Sequence, residues 1–509
     1  MRPLAPLLAV LVLAPSLGLA WPALPPEGPL ASTGPRAAAT VQDVRIEGHG
    51  GIGLAATWFL PPGPGPFPAI LRTHGWGGHR EHAAEGMVAR HLERGYAVLT
   101  YDSRGFGQSE GLVELNNPEA EAKDVTALVD WLARQPEVLL DAPGDPRVAM
   151  SGASYGGGIQ LLAGVFEPRL DALAPEVTWH DLRHSLAPNG VIKTGWVALL
   201  YAGGHVGGHF GTTDPDGSWF HPNANGMDPL VTEWLVEAAA TNGVTATIAE
   251  GLAARSLAPY LEGLEAFPPT MVYQGWRDTL FTPNEAVWTF DALRERGFQA
   301  CLMVHGGGHG YGTPDYEYVR TSVLDFLDYW VLETAAPVPP PIEVYTPWTT
   351  AWRRLGAWPD AADGGTTYHL APALAAAGAA MPLTGVLTEA APPLDAPRAV
   401  LGTPRMHLAL RGPVPDAMLF VELVEVGRDG EVVEVLGHQV TPLRVENAAA
   451  EVEADLELVA VAHDVPAGHR LGVRLSASDN GHGASRLPLP VLLRADGATT
   501  LTVPWEPAA

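Results

Sequence analysis

Residues 147–164, RVAMSGASYGGGIQLLAG, constrain the fold of this chain more than any other stretch. They read as a short buried strand, a Gly-x-Ser-x-Gly turn and an apolar helix. Ser154 stands between Gly152 and Gly156. A turn of this kind lifts a serine above the edge of a parallel sheet, over a helix N-terminus, and its glycines remove side chains that would collide with neighbouring backbone.

The surrounding sequence has the rhythm such a turn requires. Strand-like runs VQDVRIEG, LAATWFL, PAILRTHG and YAVLTYDS are followed or separated by helical stretches at 83–94 and 119–134. Short apolar runs alternating with helices predict a parallel sheet covered on both faces, here entered through an antiparallel hairpin. This α/β core is expected over 41–177. Residues 178–264 show no strand pattern and are rich in Trp, His, Gly and Pro; a structureless loop of that length is improbable, so a helical cap is expected there. The core resumes over 265–335 with PTMVYQGWRD, a helix at 284–296, QACLMVHGGGHG and a last helix at 316–333. Pro337, Pro339, Pro340 and Pro341 mark 336–345 as a stiff linker. Beyond it, short alternating strands such as MLFVELVEV and HRLGVRLSAS predict an all-β sandwich over 346–509.

Length and composition agree with several cores. The chain has 509 residues, of which 47% are hydrophobic and 17% charged. Acidic residues outnumber basic ones 57 to 30, and the only lysines are Lys123 and Lys193. Such a surface lacks the cations that neutralise phosphates, which argues against nucleic acid as a partner. Residues 1–20, MRPLAPLLAVLVLAPSLGLA, have one charge at Arg2, an apolar run and small residues at Gly18 and Ala20, the layout of a cleavable export signal. Pro3, Pro6 and Pro15 interrupt the run, so a membrane anchor is not expected, and a secreted or periplasmic location is. Residues 21–40 read as a flexible lead-in. Cys301 is the only cysteine, which excludes an internal disulfide, and its apolar setting predicts a buried thiol.

A serine hydroxyl becomes a nucleophile when a base takes its proton and a third group orients that base. On a sheet of this kind the acid and then the histidine follow at the ends of later strands. The strand TMVYQGW runs into Asp278, and ACLMVHGGG runs into His309. Ser154, Asp278 and His309 are therefore the candidate catalytic residues. Glu285 and Asp291, on the following helix, are expected to be solvated. His305 lies within its strand and is expected in the core or behind the site. Asp102 and Arg104 are expected to pair with each other and support their loop. The backbone N–H of Tyr155 is one candidate oxyanion donor; the backbone N–H of Trp76, after AILRTHG, is the other, with its indole N–H as an alternative. His74 is expected to shape that loop. His79, His82, His205 and His209 have spacings a metal could use, but no accompanying Cys or Glu pattern supports a site, so neither metal nor cofactor is expected. The DPDG at 214–217 reads as a turn.

With these residues in place, the chain resembles the serine hydrolase family that includes Xaa-Pro dipeptidyl-peptidases, cocaine esterase and α-amino-acid ester hydrolases. The carriers are YDSRGFGQSEG, EAKDVTALVDWLARQP, GASYGG, QGWRD and GGGHG, together with the C-terminal β region. The resemblance implies an α/β-hydrolase core, a helical cap and a C-terminal jelly roll, and cleavage of ester or amide bonds through an acyl-enzyme on Ser154, Asp278 and His309. Two departures bear on specificity. Arg72-Thr73-His74-Gly75 stands where members typically carry Arg-Thr-Pro-Tyr, and SASDNGHGASRLPLP replaces a Phe-Pro-Arg-like strand end.

The expectation is thus a secreted serine hydrolase, a peptidase or an esterase, acting on a small ester, amide or short peptide. Trp179 and Trp276 are candidate apolar walls of its pocket. A carboxylesterase or an α-amino-acid ester hydrolase without peptidase activity is the alternative within the class. The rival outside it is a surface ligand-binding protein with a vestigial core.

Overall fold

The computed structural model describes residues 39–209, 226–309, 315–334, 338–370, 381–382, 387–411, 414–435, 437–448, 451–484, 492–493 and 499–506. The leader, the lead-in up to 38 and the DPDG turn lie outside them.

The core is a ten-stranded sheet formed by β1 (Thr40–Glu47), β2 (Gly53–Leu60), β3 (Ala69–Thr73), β4 (Ala97–Tyr101), β5 (Val148–Ala153), β6 (Leu170–Glu176), β7 (Thr270–Gly275), β8 (Ala300–His305), β9 (Ile342–Thr346) and β10 (Ala351–Leu355). Its spatial order is β1-β2-β4-β3-β5-β6-β7-β8-β9-β10. The first two strands form an antiparallel hairpin, β4 to β9 run parallel, and β10 turns back antiparallel.

Period-two patterning explains why both faces are covered. Leu71, Leu99 and Met150 stand side by side in register and point into one apolar cluster, with Val125, Leu128, Ile159 and Phe290. Ile70, Val98 and Ala149, one residue earlier on each strand, point into the other, with Val88, Leu92, Val319 and Val323. The helices supplying these residues are α1 (Gly86–Glu93), α2 (Glu121–Leu132), α3 (Tyr155–Phe166), α8 (Pro283–Glu295) and α9 (Tyr316–Trp330). Cys301 belongs to the second cluster, and burial pushes its thiol up to about 11.

The chain leaves β3 toward β4 on one side and later places β5 on the other. Their carboxyl ends therefore open a crevice where connections diverge, the position at which open α/β sheets bind ligands.

Between β6 and β7 the chain is helical: α4 (Leu182–Leu186), α5 (Thr194–His209), α6 (Pro229–Thr241) and α7 (Ala246–Ala253). Local sequence sets their starts. Asp181 accepts from the N–H groups of Arg183 and His184, Asp228 caps a helix that begins with Pro229, and Thr245 accepts from Ile248.

The Pro-rich stretch 336–345 is not a linker throughout. Its prolines end at Pro341, whose carbonyl accepts from Leu302, and Ile342 then enters the sheet opposite Leu302. The alternating IEVYT that follows is a strand buried against β8, so the α/β unit extends to Leu355.

The C-terminal region consists of antiparallel strands in two larger sheets, one built around Arg405–Arg411 and the other around Val414–Val426. Its apolar interior is continuous with that of the core, since Val400, Leu401 and Leu408 belong to the same cluster as Leu71. Met418 and Phe420 also pack on Val191 of the cap. Among the described residues no helix is long and apolar enough to cross a membrane.

Candidate active site

Ser154 stands between β5 and α3 at φ 57° and ψ −115°, a conformation in the left-handed half of backbone space that L-residues seldom adopt. Neighbouring backbone holds it there. Its N–H donates to the Glu176 carbonyl at 2.8 Å, and its own carbonyl accepts from Gly157, Gly158 and the Thr178 hydroxyl. The glycine at 156 is forced by space: a Cβ there would lie 2.7 Å from the Thr73 carbonyl oxygen.

Three side chains from three strand ends meet at this turn. Ser154 Oγ lies 3.0 Å from His309 Nε2, and His309 Nδ1 lies 2.8 Å from Asp278 Oδ2. Asp278 is fully buried. Its Oδ1 accepts from the N–H groups of Leu280 and Phe281, and Oδ2 also accepts from Gln274 Nε2. A carboxylate so supplied accepts from Nδ1–H, which leaves Nε2 free to accept from the serine hydroxyl. The imidazole itself is walled by Phe281 and Trp196, with ring centroids 5.2 and 5.9 Å away.

Donors for a developing negative charge lie nearby. The backbone N–H groups of Tyr155 and Trp76 have no hydrogen-bond partner among the described residues. The indole N–H of Trp76 is committed to the Leu200 carbonyl at 2.6 Å, so it cannot serve as the alternative donor. Gly75 brings this loop against the serine, since a Cβ on it would lie 3.7 Å from Ser154 Cβ. His74 fastens the loop: Nδ1–H donates to the Gly75 carbonyl and Nε2 accepts from the Ser103 N–H. Burial lowers its pKa and keeps the ring neutral in that role.

The Tyr155 side chain points away from the crevice. Its hydroxyl donates to Glu121 and accepts from the Asn116 N–H, pinning α3 to α2. Burial raises Glu121 to about 8 and raises Tyr155 well above its usual value.

Several expectations are corrected. Trp276 does not wall a pocket: it is fully buried, packs against Trp358 and donates to the Tyr345 carbonyl, where its bulk fills the junction of core and β region. Trp179 is also buried, behind Phe281, with its indole on the Arg255 carbonyl, because the space above Gly158 accepts its ring. Asp102 pairs with Arg80 rather than Arg104, and Arg104 holds Asp124 at 2.7 and 2.8 Å. Glu285 is buried, accepting from His184 and from the N–H groups of His180 and Asp181. Asp291 is half-buried, and burial raises it to about 6. His305 is buried, as expected, accepts from the Gly307 N–H, and is lowered to about 4 by burial. His79 and His82 pack ring to ring, and His205 packs on Tyr201; the side chain of His209 lies outside the described residues.

An apolar cleft lies beside Trp76. About 710 Å³ of empty space, partly open to solvent, is bounded by Trp76, Leu115, Leu200, Met227, Val231 and Trp234, among others, and no described residue lining it carries a charge. Gly204 makes room for Trp76 there, since a Cβ would lie 2.5 Å from its ring.

The loop that carries Asp278 has partners that the sequence pattern did not single out. Lys193, one of two lysines in the chain, is buried and donates to the carbonyls of Thr279 and Leu280; burial lowers it to about 8. Trp196 donates to the Thr279 hydroxyl, and Gln439 of the β region reaches the carbonyls of Trp276 and Asp278. The rarity of lysine could have drawn attention to Lys193; nothing local marks Gln439.

Known proteins share this architecture. An α-amino acid ester hydrolase superposes with a TM-score of 0.66 over 95% of this chain and 100% of its own, at 17% identity. A CocE/NonD family hydrolase from Staphylococcus aureus superposes with a TM-score of 0.67 over 92% and 97%, at 14% identity. At such identities the likeness establishes the fold. A putative Xaa-Pro dipeptidyl-peptidase of Rhodopirellula baltica is 24% identical over 270 residues, 50% of this chain and 40% of that protein. A quorum-quenching protein of Acinetobacter baumannii is 32% identical over 126 residues, 24% of this chain and 40% of that one. The chain thus matches about two fifths of the length of these curated relatives. Residues 325–491 match the X-Pro dipeptidyl-peptidase C-terminal non-catalytic domain, and residues 50–311 match the X-Pro dipeptidyl-peptidase S15 family. The chain belongs to that S15 family of serine hydrolases.

Proposed function

We propose that the protein cleaves esters through an acyl-enzyme on Ser154, with His309 as base and then acid and Asp278 as its orienting partner. The observation that carries this reading is the continuous hydrogen-bonded chain Ser154 Oγ, His309, Asp278 at 3.0 and 2.8 Å on a strained strand-to-helix turn. His309 Nε2 takes the hydroxyl proton as Ser154 Oγ bonds to the substrate carbonyl carbon. The oxyanion accepts from the N–H groups of Tyr155 and Trp76. Collapse breaks the bond to the leaving group, which receives the proton from His309. Water then repeats the sequence on the acyl-serine, releasing the acid and restoring the hydroxyl.

Taken as the acyl site, the apolar cleft beside Trp76, uncharged among the described residues, favours an ester with an apolar acyl group over a dipeptide. A dipeptidyl substrate brings a free ammonium that needs an anion. Among the described residues, three buried carboxylates of the core are already engaged, Glu121 by Tyr155, Glu176 by Tyr316 and Glu285 by His184. The leader pattern at 1–20 supports export of the chain.

A fluorophosphonate probe tests the chemistry. Native protein labels and Ser154→Ala does not; equal labelling of both overturns the reading. Aryl esters compared with Xaa-Pro dipeptide amides then test the substrate class, and faster turnover of the amides overturns the ester assignment.

A further inference from the structure

We propose that Gln439, contributed by the C-terminal β region, is a positioning residue for Asp278. The region whose family counterpart is described as non-catalytic is then a working part of the site. This inference rests on the Ser154, His309 and Asp278 reading above.

Gln439 immediately precedes the strand Val440–Ala448 and is buried. Its side-chain Nε2 donates to the Trp276 carbonyl at 2.9 Å and to the Asp278 carbonyl at 3.4 Å. The reversed amide would set its oxygen against two carbonyl oxygens, so the orientation follows from the partners. Its Oε1 is buried without a hydrogen-bond partner, and the residue borders a small void lined mainly by Val421, Leu423, Val435 and Leu458, with Thr441. An amide placed against such apolar neighbours, with its oxygen unpaired, costs stability relative to an apolar side chain of similar size. What the position gains is its hold on the acid loop.

That hold matters because the rest of the loop is tied on its other sides. The N–H groups of Trp276 and Arg277 donate to His305 and Gly307, and the carbonyls of Thr279 and Leu280 are taken by Lys193. The N–H groups of Leu280 and Phe281 orient the Asp278 carboxylate directly. Gln439 covers the face turned toward the β region. Without it the carbonyls of Trp276 and Asp278 lose this donor, the turn can rotate, and the 2.8 Å contact of Asp278 with His309 loosens. Gln439 is itself steadied by its neighbour His438, whose Nε2 lies 2.6 Å from Asp479.

The test compares full-length Gln439→Met, which keeps the volume and removes the amide, with Leu501→Ala, which weakens the same β region from a buried position on its other sheet. Gln439→Met is expected to lower kcat on an activated aryl ester and the fluorophosphonate labelling rate by about tenfold, at unchanged KM. The acid limb of its kcat–pH profile is expected to move to lower pH, because a loosened Asp278 stabilises the imidazolium less. Leu501→Ala is expected to lower the melting temperature and leave both the kcat and the limb in place. Native kcat and pH limb in Gln439→Met, or the same losses in Leu501→Ala, overturn the proposal. Ser154→Ala separates the two claims: if it retains turnover the triad reading has failed, whereas loss of turnover in Ser154→Ala with native kinetics in Gln439→Met defeats only the role of Gln439.

Discussion

The indole of Trp76 meets the phenol of Tyr155 edge to face, with centroids 5.1 Å apart and planes at 72°. Phe106 closes the group at 5.3 and 5.7 Å. The two residues whose backbone N–H groups are proposed to receive the oxyanion thus lock each other through their side chains. Trp76→Ala removes this lock and the bond to Leu200, and it is expected to lower kcat on an acetyl aryl ester by about tenfold to a hundredfold, with Trp76→Phe intermediate. Steady-state kinetics check this; native kcat in Trp76→Ala would show that the backbone donor at 76 does not depend on the side-chain lock.

Asp278→Asn keeps the shape of the buried carboxylate and reverses its demand on His309 Nδ1. An amide that presents N–H there holds the imidazole in the wrong tautomer, and kcat is expected to fall on the order of 10³ to 10⁴. Circular dichroism should show an intact fold. Retention of a tenth or more of native kcat counts against Asp278 as the orienting group.

Glu121 gives a pH dependence of known sign. Burial raises its carboxyl from an ordinary value of 4.5 to about 8 in the folded chain. Below 4.5 it is protonated in both states, so its contribution to stability is complete there; between 4.5 and about 8 the unfolded chain ionises first, and stability is lost as pH rises. Glu121→Gln, neutral throughout, is expected to remove that slope and gain stability over the native chain toward pH 8. Urea midpoints measured from pH 5 to 8 decide it: parallel curves for the two proteins contradict the assignment.

Filling the cleft tests the acyl site. Val231→Phe adds a ring to the apolar wall. Octanoyl esters are expected to lose about tenfold in kcat/KM while acetyl esters keep native values. An equal loss for both chain lengths would mean that the acyl chain binds elsewhere.

Much of the fold was legible because burial on two faces writes itself locally. The unbroken apolar runs around Leu71, Leu99 and Met150, spaced by helices, announce a parallel sheet, and the glycines at 152 and 156 announce the tight turn. Asp278 and His309, which the structure brings together with Ser154, could be put forward as its candidate partners because strand ends are visible in sequence. The pocket walls could not. Whether a tryptophan faces a crevice or a domain junction depends on partners distant in the chain, and Trp276 lies against Trp358 and Tyr345. Likewise Asp102 and Arg104 are close in sequence, but their side chains diverge to Arg80 and Asp124.

By itself, the sequence determined the strand, turn and helix around Ser154 and the order of its partners, because backbone conformation and hydrophobic periodicity act over a few residues. Only the tertiary structure decided which groups hold that machinery in place. Lys193, Gln439 and Glu121 reach their partners 86, 163 and 34 residues away, through hydrogen bonds that form where separately folded layers meet. Such contacts leave no local pattern, since what selects each side chain is an unpaired polar group on another part of the chain.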